Sequence, residues 1–66
     1  SQEVSPFDGE EFGYVIQGKV MLHYGDRKFT VKKGQTFYFK CDRTHYLSNE
    51  WEGTAKVLWV SNPPSF

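Results

Sequence analysis

The stretch from Gly34 to Asn49, GQTFYFKCDRTHYLSN, decides the fold. Thr36 to Phe39 is nearly all apolar, the composition of a strand buried on both faces. Cys41-Asp42-Arg43 reads as a polar corner, and His45 to Ser48 as a second strand. Gly34, His45 and Asn49 mark the start, the return and the end of this unit.

Working outward, the same punctuation continues. Upstream, Arg27 to Lys32 alternates, with Phe29 and Val31 inward, and Lys33-Gly34 breaks it. Gly25-Asp26 is a two-residue hairpin signal joining that strand to Lys19 to Tyr24. There Val20, Leu22 and Tyr24 share one face, opposite Met21 and His23. Phe12 to Gln17 is rich in aromatic and β-branched residues and stops at Gly18. Downstream, Glu50 to Gly53 is a loop and Ala55 to Ser61 the last strand, ended by Asn62-Pro63-Pro64, which cannot continue a ladder. Ser1 to Asp8 has room for one short edge strand at best. No helical period of useful length interrupts these six runs, so the class is all-β, a sandwich or barrel of antiparallel strands.

Composition narrows the function. Sixty-six residues allow one domain near the lower size limit for a single core. Aromatics make up 18% of the chain, enough large side chains to build that core. Eight basic and eight acidic residues cancel, which leaves no phosphate-seeking field and argues against direct nucleic-acid contact by this segment. The single Cys41 excludes an internal disulfide and fits a reducing compartment. No run approaches the roughly 18 apolar residues of a membrane span, so no membrane role is expected and the cytoplasm is the default location.

Two segments together resemble the paired motifs of the cupin family, small barrels of jelly-roll type. In EFGYVIQG, Glu11 is followed by six residues and Gly18, as in the first motif. The second motif is matched in register by Gly34, His45 and Asn49, with Lys40 and Asp42 where Pro and Gly are usual. The two histidines of the first motif are missing: their positions fall on Ser5 and Phe7, or on Val4 and Pro6. GEEFGYVIQG, QTFYF and AKVLWV with a Pro-Pro-x-Phe tail are more narrowly similar to the C-terminal cupin domain of bacterial helix-turn-helix regulators. That resemblance implies that residues 1–66 form a single cupin-like jelly roll, incomplete or completed by dimerisation, at the C-terminal end of a longer chain. The serine start agrees with a segment.

The resemblance also places Glu11, His45 and Asn49 toward the cup, where they would supply the polar contacts to a small-molecule effector, with Tyr14 and Tyr38 as walls. Tyr14, Tyr38, Tyr46, Trp51 and Trp59 could form a ligand cage but read as core first, and Asn49 serves equally as a loop cap. Glu11 and His45 are also the surviving metal ligands. Two donors are fewer than the three a functional site needs, so no cofactor is expected, a divalent ion being the lesser alternative. His23 reads as a solvent-side strand residue and Cys41 as incidental. Lys32, Lys33 and Lys40 read as a solvated rim. Trp59 is expected buried, its loss costing roughly 3–5 kcal/mol.

The resulting expectation is a non-catalytic sensor and dimerisation module of a bacterial transcriptional regulator, binding a small molecule and forming a homodimer. The alternatives are a small metal-dependent cupin enzyme, an isomerase or oxygenase, and a scaffold whose cup is plugged by its own aromatics.

Overall fold

Six antiparallel strands form two three-stranded sheets in a computed structural model that describes residues 3–62. The strands are β1 (Glu10–Gln17), β2 (Lys19–Tyr24), β3 (Arg27–Lys32), β4 (Thr36–Lys40), β5 (His45–Ser48) and β6 (Lys56–Asn62). One sheet has the order β4-β1-β6 and the other β3-β2-β5. The two inner faces enclose Val15, Val20, Leu22, Val31, Phe37, Phe39, Cys41 and Leu47. This is the all-β sandwich that the strand spacing predicts, and it is consistent with the jelly roll that the resemblance implies. The Pro63-Pro64 stop lies outside the described residues.

The local chemistry is that of half-buried strands. β2 turns into β3 at Gly25-Asp26, and the pair is in full register from Lys19↔Lys32 to Tyr24↔Arg27. Between β1 and β2 the chain passes from one sheet to the other at Gly18, whose φ of 72° lies in the left-handed region. A side chain there would also meet the Thr54 carbonyl oxygen at 2.6 Å. The Gly of the first motif is thus held by backbone geometry and by close approach together.

β4 departs from the sequence expectation. Instead of a strand buried on both faces it alternates: Phe37 and Phe39 point inward, whereas Thr36 and Tyr38 are exposed. No second layer covers the outside of its sheet among the described residues, so an aromatic run here does not imply burial on two sides. The outer face of that sheet consequently shows Phe12, Tyr14 and Ile16 from β1, Tyr38 from β4, and Leu58 and Val60 from β6.

Two inward readings also need correction. Phe29 faces inward opposite Leu22 but remains 44% exposed, because β3 is an edge strand and the space beside it is open. Trp59 likewise shares the inward face of β6 with Val57 and Ser61, yet is 37% exposed. Its phase is as expected and its burial is not, since β6 lies at the sheet edge. The expected short N-terminal strand reduces to one bridge, Val4↔His45, which covers the free edge of β5.

Candidate metal centre

β1, β4 and β5 converge where the sheets meet at one end of the sandwich. Glu11 sits on the inward face of β1 between its cross-strand partners Phe39 on β4 and Ser61 on β6. His45 opens β5, and Cys41 follows the last residue of β4. All three are buried, Glu11 at 3% exposure and both others at 0%. One ligand atom from each lies within 4.8 Å of the other two.

Backbone and side-chain hydrogen bonds orient this group. The Nδ1 atom of His45 is 3.0 Å from the Arg43 carbonyl oxygen, which can only accept. A ring proton is therefore on Nδ1, and in the neutral imidazole Nε2 presents a lone pair. Nε2 faces Glu11 Oε1 at 3.5 Å, and neither His45 Nε2 nor Glu11 Oε2 has a hydrogen-bond partner. The other side of the carboxylate is tethered: Trp59 Nε1 donates to Ser61 Oγ, and the Ser61 hydroxyl donates to Glu11 Oε1 at 3.1 Å. The Cys41 thiol is pushed up from 9.0 to about 11, first by burial and then by the negative charges of Glu11, Asp42 and Glu10. Phe39 and Phe7 pack their rings at 4.9 and 5.9 Å from the His45 ring and keep water out. Phe7 holds one of the positions where the first motif carries histidine, so an aromatic ring stands there in place of a nitrogen donor.

The other residues expected at the cup do not join this cluster. Asn49 lies in the loop after β5, where its amide donates to the Gly53 carbonyl and its oxygen accepts from Trp51 N–H. It caps the loop. Tyr14 points away from the cup; Tyr38 is exposed on β4, where its hydroxyl donates to Glu10, and it also borders the cleft that opens beside β3 and β4. That bond raises the Tyr38 pKa. The alternation of β1 and β4 compels this: with Glu11, Gly13 and Val15 inward, Tyr14 must face out, and the same holds for Tyr38 between Phe37 and Phe39.

Sequence reading missed Cys41. A Cys-Asp-Arg triplet looks like a polar corner, but the chain turns so that only Asp42 and Arg43 are exposed while the thiol enters the core. One signal for it was present. Cys41 lies four residues before His45, a spacing at which a short loop can fold both onto one side.

A polar cluster of another kind lies on the outside of the second sheet. His23 stacks on Tyr46 at 3.9 Å and is 8% exposed, so this solvent-side residue is in fact covered. Its Nε2 is 2.8 Å from Ser48 Oγ and 3.2 Å from Glu50 Oε2. The Ser48 hydroxyl donates to the same Glu50 oxygen and, with His23, holds the Glu50 carboxyl below its ordinary range. His23 is on the opposite face from Glu11 and His45 and has no part in their cluster.

Between the sheets, along the open β3 and β4 edges, runs a cleft of about 490 Å³. Leu22, Phe29, Phe37 and Phe39 wall it, and Arg27 and Gln35 lie at its rim. Glu11, Cys41 and His45 line neither this cleft nor the smaller groove of about 460 Å³ near Trp51.

The profile of the cupin domain family matches residues 7–61, which is most of the chain. The chain belongs to the cupin family. This cupin is 33% identical over 58 residues to the uncharacterized protein MJ1618 of Methanocaldococcus jannaschii, covering 88% of the chain and 46% of that protein. The cupin thus spans about half the length of this curated relative. No solved structure matches it.

The donor set present fits a divalent ion: two buried polar atoms lack partners, the imidazole lone pair is aimed inward, and a carboxylate and a thiol stand beside it. Glu11 and His45 are the residues that the family motifs assign to such an ion. Bound there, it would supply Lewis acidity and charge compensation in a dry site. The chain's own residues keep the site dry and fix the imidazole tautomer and the carboxylate orientation.

Proposed function

We propose that this cupin is a small-molecule-binding and self-association module whose ligand enters between the two sheets along the β3 and β4 edges. The observation that carries this reading is the 490 Å³ cleft, of a size with ligand pockets, walled by aromatic and aliphatic side chains with few polar groups at its rim. Phe29 is central to it. It faces inward yet stays open to solvent, so a ligand seated beside it would cover apolar surface.

The chemistry of the lining selects the ligand class. Flat apolar walls and one guanidinium suit a compact aromatic or aliphatic body carrying a carboxylate, with Arg27 as its counter-ion and Gln35 as an amide partner. Glu11, His45 and Asn49, expected from the sequence as ligand contacts, are turned elsewhere. The site therefore moves from the motif residues to the open edge.

Self-association is supported by the outer face of β4-β1-β6. Cross-strand registers put Tyr38, Phe12 and Val60 in one row and Tyr14 and Leu58 in the next, with Ile16 beyond. An apolar surface of this continuity is characteristic of an interface. A second copy of the chain is the occupant we favour. Ligand binding in the cleft would bias that association by its differential affinity for two arrangements, as the sensor half of a bacterial regulator would require. The regulator association rests on the similarity of GEEFGYVIQG, QTFYF and AKVLWV to such sensor domains.

The metal-dependent isomerase or oxygenase is less well supported, because the cluster that could hold an ion is sealed by Phe7 and Phe39. The test is nuclear magnetic resonance titration of the labelled protein with benzoate as probe. Saturable shifts confined to the backbone amides of β3 and β4 are expected, reduced at least about tenfold in affinity by Arg27→Ala. Shifts that are absent, or that centre on Glu11 and His45, would overturn the cleft assignment.

A further inference from the structure

We propose that Cys41 supplies the third donor of a zinc site, so that Glu11, Cys41 and His45 bind one Zn²⁺ through a carboxylate oxygen, a thiolate sulfur and the imidazole Nε2. The sulfur takes the role that the absent histidines leave open. It also changes which ion the site prefers.

Four observations carry this. First, the distance between His45 Nε2 and Glu11 Oε1, 3.5 Å, is too long for a hydrogen bond. Two ligands of one tetrahedral zinc, at bond lengths near 2.0–2.3 Å, stand about 3.3–3.6 Å apart. The pair is thus already at the separation of two atoms bound to one ion. Second, the Arg43 carbonyl holds a ring proton on Nδ1, so the neutral imidazole turns the lone pair of Nε2 toward the carboxylate. Two electron-rich atoms facing each other in a buried site repel, and a cation between them removes the repulsion. Third, Glu11 Oε2 and His45 Nε2 are buried without partners, which is rare and costly for groups that have no ligand to bind. Fourth, all three donor atoms fall within 4.8 Å of one another, so side-chain adjustments of about 1 Å close the site.

Charge and softness identify the ion. A carboxylate and a thiolate carry two negative charges, which a divalent cation neutralises in a dry setting. Nitrogen and oxygen donors alone suit iron or manganese; a thiolate among them selects for zinc. On binding, the Cys41 thiol gives its proton to solvent, and the S–H bond is replaced by an S–Zn bond with no change of oxidation state. Three protein donors leave one tetrahedral position. Because Phe7 and Phe39 close over the cluster, the ion acts as a clasp joining β1, the β4 end and β5, and does not open onto the cleft.

The site is separate from the ligand cleft, and its test is separate too. Protein stripped with chelator under reducing conditions is titrated with Co²⁺, a spectroscopic stand-in for zinc, and then with Zn²⁺. One equivalent of cobalt is expected to give a sulfur-to-cobalt charge-transfer band in the near ultraviolet, displaced by one equivalent of zinc. Cys41→Ser and His45→Ala should each weaken zinc binding by at least about 100-fold, and Cys41→Ser should remove the near-ultraviolet band. Phe29→Ala, in the cleft, should leave both unchanged. If the cysteine variant does not fold, X-ray absorption of the zinc-loaded wild type decides: one sulfur scatterer at about 2.3 Å is expected. A shell of nitrogen and oxygen only, a cobalt band surviving Cys41→Ser, or no saturable uptake by folded protein would each overturn the proposal.

Discussion

The Phe37 ring lies against Gly13, its cross-strand partner, in the space that a side chain at Gly13 would need. The contact lets Phe37 cross the inner face of β1 and meet Trp59 edge-on at 5.6 Å. Glycine in a strand interior weakens the strand, and here close packing of an aromatic across it compensates. Gly13→Ala should therefore destabilise the cupin by about 1–3 kcal/mol through overpacking. Denaturant unfolding of Gly13→Ala, Phe37→Leu and the double variant checks this. The two effects should be strongly non-additive, with the smaller residue at 37 relieving much of the Gly13→Ala cost.

Trp59 and Phe37 touch, yet their truncations should differ. Phe37 is buried and Trp59 is 37% exposed at a sheet edge. Phe37→Ala should cost about 3–5 kcal/mol, whereas Trp59→Ala should cost only about 1–2 kcal/mol. Equal losses in paired unfolding curves would contradict the placement of β6 at the edge of its sheet.

In chelator-treated protein the Cys41 thiol, raised to about 11, is almost wholly protonated at pH 8 and is shielded besides. Alkylation by iodoacetamide should be at least about 100-fold slower in the native cupin than in urea. A native rate close to the unfolded one would place the thiol outside the core. Rates followed by mass spectrometry decide the matter.

On the other sheet, Ser48 and His23 hold the Glu50 carboxyl below its ordinary value of 4.5. A depressed carboxyl stabilises the fold above its unfolded value, and that contribution disappears as pH falls through the lower folded value. Glu50 is well exposed, so the effect is modest and screened by salt. Glu50→Gln should flatten the loss of stability below about pH 4.5 without altering the core. Thermal unfolding of both proteins between neutral and acid pH measures it, and identical acid profiles would refute the role of Glu50.

The apolar outer face of β4-β1-β6 gives a prediction for assembly. Leu58→Glu, at a residue 53% exposed, should leave folding intact while lowering self-association by at least about tenfold. Sedimentation velocity across a concentration series reads this directly. A monomeric wild type would dismiss the second-copy reading.

Much of the fold was legible because strands announce themselves through two-residue alternation and glycine turns. Val20, Leu22 and Val31 face inward as their phase requires, and Gly18, Gly25 and Gly34 all take positive φ between strands. Glu11 and His45 were legible as a pair through motif spacing. The phase of Trp59 was legible as well. Its degree of exposure was not, because exposure depends on which strand lies at the sheet edge.

The amino-acid order by itself determined the strand class, the corners and which side chains share a face, since these follow from local backbone chemistry. Only the tertiary structure decided that Cys41 joins Glu11 and His45, that Asn49 caps a loop, and that Tyr14 faces outward while Tyr38 borders the cleft. These outcomes depend on how β1, β4 and β5 meet in space. Contacts between residues as distant as Glu11 and His45 are set by packing the two sheets, which no local pattern encodes.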